Sequence, residues 1–273
     1  MNEINIENKV ITITNPSRML FPRINITKWD LVNYYLKIAD YILPYIRDRS
    51  LTIYCFPEGV ENDGVYHQCG FENLPVWFQT ISLKNKAGEY NQHILCQDKA
   101  SLIYLVNHNM ISIFRSLHKV DSFLSPDILA INISASTKKL NLACKAARLL
   151  KIRLEDSDYN PLLMITGSAD LQVLSIVKEV QSYKQVHSLL NKLVEQIIKE
   201  YFTLESVTFD ITCNDYDQSV IAPFSIIADK KASVATPLSW EELDEKELSA
   251  NKYNINNIFK RLDDLKKDPW DGL

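Results

Sequence analysis

The stretch Leu162-Leu163-Met164-Ile165-Thr166-Gly167-Ser168-Ala169-Asp170-Leu171-Gln172-Val173-Leu174-Ser175 decides how the chain folds. Leu162–Thr166 and Leu171–Ser175 are largely apolar and of strand length, and Gly167 stands where the chain must turn between them. The segment reads as a β-hairpin. Helical patterns flank it on both sides. Upstream, a basic helix spans about Thr137 to Arg153; downstream, Tyr183–Tyr201 carries Val186, Leu189, Leu190, Leu193, Val194, Ile197 and Ile198 as one apolar stripe. Two successive strands between helices break the strict alternation that a doubly wound parallel sheet needs, so the expected class is α+β.

Outward from this core, Ile128–Ile133 and Ile111–Phe114 read as strands, preceded by a helix that opens at Asp98 and runs through Leu102, Leu105 and Val106. Further strands are expected near Val65–Cys69, Trp77–Leu83 and His93–Cys96, and at Leu51–Phe56 before the turn Pro57-Glu58-Gly59. Thr27 is an N-cap with Asp30 three residues on, Leu31, Tyr34, Tyr35, Ile38 and Ile42 recur at helical spacing, and Pro44 is expected to close that helix. Val10–Thr14 alternates as a half-buried strand until Asn15-Pro16-Ser17. Beyond the long helix, Ser206–Thr212 and Val220–Ile227 are expected to pair, and a last helix spans about Ile255–Leu265.

With 273 residues, 46% hydrophobic and only 6 Gly, the chain can bury a sizeable core, which excludes a disordered class. Met1–Lys9 is polar and carries Glu3 and Glu7, unlike a secretory signal, and charged residues interrupt every apolar run before membrane length. A cytoplasmic protein without membrane contact is expected. Cys55, Cys69, Cys96, Cys144 and Cys213 are odd in number and lack any C-x-x-C, against a disulfide framework or a zinc knuckle. His67 and Cys69 alternate along a strand, as neighbours on one face do more often than metal ligands. Net charge of −4 and a pI near 5.8 weigh against bulk attraction to nucleic acid, leaving that role to a local basic patch.

Several strings resemble, in family order, the primase-polymerase domain of bacterial DNA ligase D. Ile13-Thr14-Asn15-Pro16-Ser17-Arg18-Met19-Leu20-Phe21-Pro22 is similar to "T-N-P-D-K-V-L-F-P", and Thr27-Lys28-Trp29-Asp30-Leu31-Val32-Asn33-Tyr34-Tyr35 to "T-K-x-D-L-x-x-Y-Y". Arg49-Ser50-Leu51-Thr52 with Pro57-Glu58-Gly59-Val60 resembles "R-P-L-T…P-x-G-V", and Leu74-Pro75-Val76-Trp77 resembles "A-P-x-W". Late in the chain, Ala222-Pro223-Phe224-Ser225 resembles "A-P-Y-S", and Thr236-Pro237-Leu238-Ser239-Trp240-Glu241-Glu242-Leu243 resembles "T-P-L-x-W-x-E-L". The resemblance implies an archaeo-eukaryotic primase-like fold with an RRM-like catalytic sheet flanked by helices. It implies one domain over 1–273, with an N-terminal subregion of about 1–125, an RRM-like subregion of about 126–230 and a tail from 231. It also implies a place in double-strand-break repair by non-homologous end joining, with Ku or a DNA ligase as partner.

Polymerases of this class hold two divalent ions with three carboxylates, an Asp-x-Asp pair on one strand and a third Asp on a neighbour. By the resemblance, Asn132 and Ser134 stand at the Asp-x-Asp positions and Asp210 is the retained third acid, while Asp127 falls on the opposite parity of the first strand. Neutral oxygens cannot replace carboxylates at a divalent ion. In the triphosphate loop Ala169 replaces a lysine, Gln172 a histidine, and Asp170 adds a negative charge; Phe114 stands for the histidine of "E-L-H-P" and Ile227 for an arginine. The expectation is a catalytically inactive domain with no metal or other cofactor. Weak Mn-dependent, template-directed nucleotidyl transfer with Mn or Mg, centred on Asp210, is the enzymatic alternative.

Two basic residues that the family uses on the 5′-phosphate of a DNA gap correspond to Arg18 and Lys28, with Arg23 between them. A guanidinium can hold a phosphate bidentately, and Lys28 lies close to a helix N-terminus, where anions are favoured. Binding of 5′-phosphorylated DNA ends follows as the expected function, with a protein-interaction scaffold that touches no DNA as the third reading. Lys138, Lys139, Lys145, Arg148, Lys151 and Arg153 form a second basic group whose plainer role is solubility, and Tyr66 lies near the family's template-stacking aromatic, its plainer role being a half-buried strand tyrosine.

Overall fold

The computed structural model describes residues 2–68, 74–135, 140–167, 170–201, 207–245, 248–265 and 268–270. In chain order its elements are β1 (Asn2–Ile6), β2 (Lys9–Ile13), β3 (Met19–Phe21), β4 (Ile26–Thr27), α1 (Lys28–Ile46), β5 (Leu51–Cys55), β6 (Val65–His67), β7 (Thr80–Lys84), β8 (Tyr90–Ile94), α2 (Lys99–Asn107), β9 (Met110–Ser116) and β10 (Ile128–Ser134). There follow α3 (Leu140–Glu155), β11 (Pro161–Ile165), β12 (Asp170–Ile176), α4 (Tyr183–Tyr201), β13 (Thr208–Asp210), β14 (Ser219–Ile221), β15 (Thr236–Leu238) and α5 (Ile258–Leu265). The chain divides into two compact units, one of Met1–Arg115 with Ile221–Ser233, the other of Ser116–Val220 with Val234–Leu273.

In the first unit a sheet runs in the order β14-β9-β5-β8-β7, with β6 added on β5. Helix α1 starts where Thr27 and Asp30 form a reciprocal capping box: Thr27 Oγ1 accepts from Asp30 N at 3.2 Å, and Asp30 Oδ2 accepts from Thr27 N at 2.8 Å. Pro44 does not close the helix, which continues to Ile46. Proline's missing N–H removes one bond of the ladder, and this close to the C-terminus buried Leu43 and Ile46 carry the turn through. Leu31, Tyr34, Tyr35, Ile38 and Ile42 are all buried, as the spacing predicts. The tyrosine hydroxyls are used rather than merely covered: Tyr34 donates to Phe224 O at 2.8 Å, and Tyr35 donates to Ile111 O at 2.6 Å and accepts from Ile226 N at 3.2 Å. Phe224 takes a left-handed backbone with φ of 64°, which these bonds and the one from Ile113 N to Ser225 Oγ hold in place.

The second unit is built as β10-α3-β11-β12-α4-β13, with β15 added at one edge. Its sheet order is β13-β10-β12-β11-β15, every neighbouring pair antiparallel. This is a split βαβ arrangement, and the hairpin of β11 and β12 is the one read from the sequence. Leu129, Ile131 and Ile133 are fully buried, as are Ala143, Ala146, Leu150, Val186, Leu190 and Ile197 of α3 and α4. Apolar parity on β10 therefore leaves Asn132 and Ser134 on the other face. The expected pairing of Ser206–Thr212 with Val220–Ile227 is not found: β13 joins β10, while β14 is three residues long and joins the other sheet. The first strand of the β1–β2 hairpin and the short β15 were not expected, because neither carries a run of strand length with a clean alternation. Helix α3 begins at Leu140; the start expected near Thr137 lies outside the described residues, as do Lys138 and Lys139.

Candidate nucleic-acid site

In the second unit the register draws one polar row across the sheet. Asn132 on β10 lies opposite Asp210 on β13 and opposite Gln172 on β12. Directly opposed residues in antiparallel strands share a face, so these three side chains are neighbours. Gln172 Nε2 donates to Asn132 Oδ1 at 2.7 Å. Gln172 is 2% exposed, and its Oε1 is buried without a hydrogen-bond partner among the described residues. Asp210, at the end of β13, is engaged locally: its Oδ1 accepts from Thr212 N at 2.9 Å and from Thr212 Oγ1 at 2.6 Å. Ser134 follows one row on, opposite Thr208 and Asp170. Ala169 and Ser168 lie outside the described residues. Among the described residues no three His, Cys, Asp or Glu side chains gather in a way that could hold a metal ion, and Cys69, the expected neighbour of His67, is not described.

Three of the four basic residues of α3 have carboxylate partners. Arg148 pairs with Asp244 at 2.8 Å, Arg153 with Glu200 at 2.6 Å and Lys151 with Glu155 at 3.7 Å, while Lys145 lies over the Tyr201 ring. Their field on an approaching phosphate is correspondingly weak.

Arg18 and Lys28 come together in the first unit. Lys28 N donates to Arg18 O at 2.8 Å and Trp29 N to Pro16 O at 2.9 Å. With Asp30 N held by Thr27 Oγ1, the first three amides of α1 are already occupied by protein acceptors. The helix N-terminus therefore does not offer the anion site expected of it. Arg18 remains partly exposed, with Nη1 held by Pro57 O and, at 3.1 Å, by Glu58. Lys28 is only 1% exposed; its Nζ donates to Thr14 Oγ1 at 3.1 Å and to Asn107 O. Burial, and after it the charge of Arg18, lowers its pKa to about 8. Lys28 thus lies beneath the surface and is not a second exposed cation beside Arg18. Arg23 pairs with Glu61 at 2.7 Å.

Tyr66 is 58% exposed rather than half-buried. Its ring stacks on Tyr54 at 3.9 Å with 3° between planes, and Phe114 leans against it at 5.9 Å. At Gly64 a Cβ would meet the Tyr54 and Phe56 rings at 2.5 and 2.7 Å, so only glycine lets these aromatics close up. Phe114 and Tyr66 were singled out separately from sequence; the structure places them in one aromatic group. Sequence reading missed Asn107 and His108, the last residue and the C-cap of α2, which carry no motif.

A split βαβ sheet with a polar row on its central strands defines an α+β protein of the RRM-like kind. The family model of the LigD primase-polymerase domain matches residues 27–270, and the chain belongs to that family. It is similar to the bifunctional non-homologous end joining protein LigD of Bacillus subtilis, 22% identical over 264 residues, covering 92% of this chain and 42% of that protein. It is also similar to the multifunctional LigD of Mycolicibacterium smegmatis, 21% identical over 93% of this chain and 35% of that protein. The chain thus spans less than half the length of these relatives. Its fold matches the polymerase domain of Mycobacterium tuberculosis ligase D, solved in complex with DNA, with a TM-score of 0.85 at 18% identity, covering 93% of this chain and 94% of that one. Among the described residues no helix is long and apolar enough to cross a membrane.

Proposed function

We propose that this chain binds 5′-phosphorylated DNA ends in repair of the non-homologous end-joining type and does not carry out metal-dependent nucleotidyl transfer. The observation that carries the second half is the row Asp210–Asn132–Gln172. At the position where the resemblance calls for a metal-binding carboxylate, Asn132 Oδ1 already accepts an N–H from Gln172. A donor aimed at that oxygen opposes a cation there, and Asp210 directs one oxygen to Thr212. The donor set of one carboxylate, two amides and a hydroxyl does not fit a pair of divalent ions.

Membership of the family and similarity to end-joining LigD proteins support the repair context, and the relative solved with DNA supports a DNA ligand. Arg18, with its guanidinium partly exposed, and the buried positive charge of Lys28 behind it supply the phosphate contact. Equilibrium binding to gapped duplex DNA, with and without a 5′-phosphate and at two salt concentrations, tests the reading. Tighter binding to the phosphorylated gap, lost in Arg18→Ala, is the expected result. No binding at low salt removes DNA from the function and leaves a protein partner such as Ku or a ligase. Template-directed incorporation with Mn that disappears in Asp210→Ala would instead establish the enzymatic alternative.

A further inference from the structure

Arg18 and Arg23 each hold a carboxylate from one loop. Arg18 Nη1, which also donates to Pro57 O, meets Glu58 Oε1 at 3.1 Å, and Arg23 Nε meets Glu61 Oε1 at 2.7 Å. Both glutamates belong to the segment that joins β5 to β6. The backbone lays that segment alongside residues 18–23. Val60 N donates to Leu20 O at 2.9 Å, and Gly59, with φ of 84°, comes so close that a Cβ there would meet Met19 O at 2.9 Å. The loop's own shape is set by Gly59 N donating to Phe56 O at 3.1 Å, Asn62 N to Gly59 O at 3.1 Å and Asn62 Nδ2 to Glu58 O at 2.7 Å. The order Arg18, Leu20, Arg23 on one segment thus matches Glu58, Val60, Glu61 on the other, with an ion pair on either side of a backbone bond.

The loop does not need these pairs to stay in place, because the backbone bonds and the close approach at Gly59 already hold it. The pairs are also open to solvent. The side chains of Arg18 and Glu58 keep 31% and 73% of their exposure, and those of Arg23 and Glu61 keep 58% and 45%. Arg261 and Glu242, at 6% and 13%, are the contrasting case of a pair closed to exchange. An exposed guanidinium–carboxylate pair is worth little in water, and its partners separate readily. Carboxylate and phosphate oxygens meet the guanidinium fork in the same way, so a group that holds one can hold the other. Each glutamate therefore stands where a phosphate oxygen would be received.

We propose that Glu58 and Glu61 are built-in competitors for DNA phosphate, that Arg23 is a further phosphate contact in addition to Arg18, and that a DNA end binds by exchange. The inference rests on the DNA-end reading above. As the end arrives, each guanidinium releases its carboxylate and takes a phosphate oxygen, and the glutamate side chain turns into water. At Arg18 a terminal phosphate brings a charge of about −1.5 to −2 against the carboxylate's single charge, and that difference drives the exchange. At Arg23 a phosphodiester brings one charge only, so the exchange there is close to neutral. The two glutamates hold down affinity for phosphate and keep the exposed guanidinium groups from acting as general attractors of nucleic acid.

The experiment is equilibrium binding of a gapped duplex, with and without the 5′-phosphate, at low salt. It compares Glu58→Gln and Glu61→Gln in the unaltered chain with the same changes made on Arg18→Ala and Arg23→Ala respectively. Glu58→Gln is expected to tighten binding of the phosphorylated gap by about two- to fivefold, the scale of one exposed ion pair, and to change nothing in Arg18→Ala. Glu61→Gln is expected to tighten it by about twofold and to change nothing in Arg23→Ala. Asp63→Asn, at an exposed acid of the same loop outside both pairs, should have less effect than either. Unchanged binding in the glutamine variants overturns the inference, and a lowered urea midpoint alongside it identifies the pairs as braces of the loop. A tightening that persists when the matching arginine is absent also overturns it, since that is the field of a lost charge and not the release of a competitor. In both cases a preference of the unaltered chain for the phosphorylated gap leaves the DNA-end reading standing. Absence of that preference overturns the DNA-end reading itself.

Discussion

Asn132→Asp puts a carboxylate back on the central strand while keeping the shape of the side chain. The register sets residue 132 directly opposite Asp210, so the two carboxylates lie about 5 Å apart. At an effective dielectric of about 20–40 their repulsion is worth about 2–3 kcal/mol. The Gln172 Nε2 donor that now serves Asn132 would also serve the new carboxylate, and the charge-assisted bond returns about 1 kcal/mol. The variant should therefore be about 1–2 kcal/mol less stable than the unaltered chain at pH 7.5, measured by urea denaturation. The sign with pH follows from the pair: mutual repulsion raises its proton affinity in the folded state above the unfolded carboxylate value of about 3.9, so the penalty is present at neutral pH and gone below that value. At pH 3.5 the difference between variant and parent should vanish. Divalent Mn should also narrow it at pH 7.5, more so once Ser134→Asp is added. A variant as stable as its parent at pH 7.5, or one whose deficit persists at pH 3.5, refutes the geometry of the row.

Lys28→Met removes a charge whose pKa lies at about 8 rather than the ordinary 10.5, a penalty of about 3 kcal/mol on the folded state, less about 1–2 kcal/mol for the two lost hydrogen bonds. The variant should be the more stable at pH 7; because the folded form sheds its proton first, the parent gains on it between pH 8 and 10.5, and paired urea midpoints across that window check the sign. Glu242→Ala strips Arg261, buried at 7% exposure and bonded to both Glu242 oxygens at 2.8 and 2.7 Å, of its counter-charge, and a loss of about 3–5 kcal/mol is expected in denaturant titration. Gly64→Ala forces the Tyr54 and Phe56 rings apart, which should cost about 1–3 kcal/mol and disturb the stacking of Tyr66 as seen in near-ultraviolet circular dichroism.

Much of this fold is legible in the residues because its strongest signals are local. The stripe from Val186 to Ile198 and the turn at Gly167 need no partner to be recognised, and α4 spans Tyr183–Tyr201 as expected. β13 and β14, three residues each, fail for the opposite reason: too short to carry a period, they are fixed by the strands they join. The site divides in the same way. Family resemblance locates Asn132, Gln172 and Asp210 one by one, yet the bond from Gln172 to Asn132 spans 40 residues and exists only through register. Lys28 reads in sequence as an exposed cation at a helix start. Its burial depends on Thr14, which follows β2, and Asn107, the last residue of α2, neither of which leaves a mark near residue 28.

The return of Ile221–Ser233 to the first unit bears on how the protein is made. Tyr34, Tyr35 and Ile113 find their partners in Phe224, Ser225 and Ile226, so nearly half the polypeptide must leave the ribosome after Ile113 before those bonds can close. Only the Ser116–Val220 part of the second unit intervenes, and it can begin to condense on its own contacts while the first waits with α1 only partly satisfied. That delay makes the early chain dependent on its late segment, exposes apolar surface during synthesis, and marks any fragment ending before residue 227 as one that cannot complete its first unit.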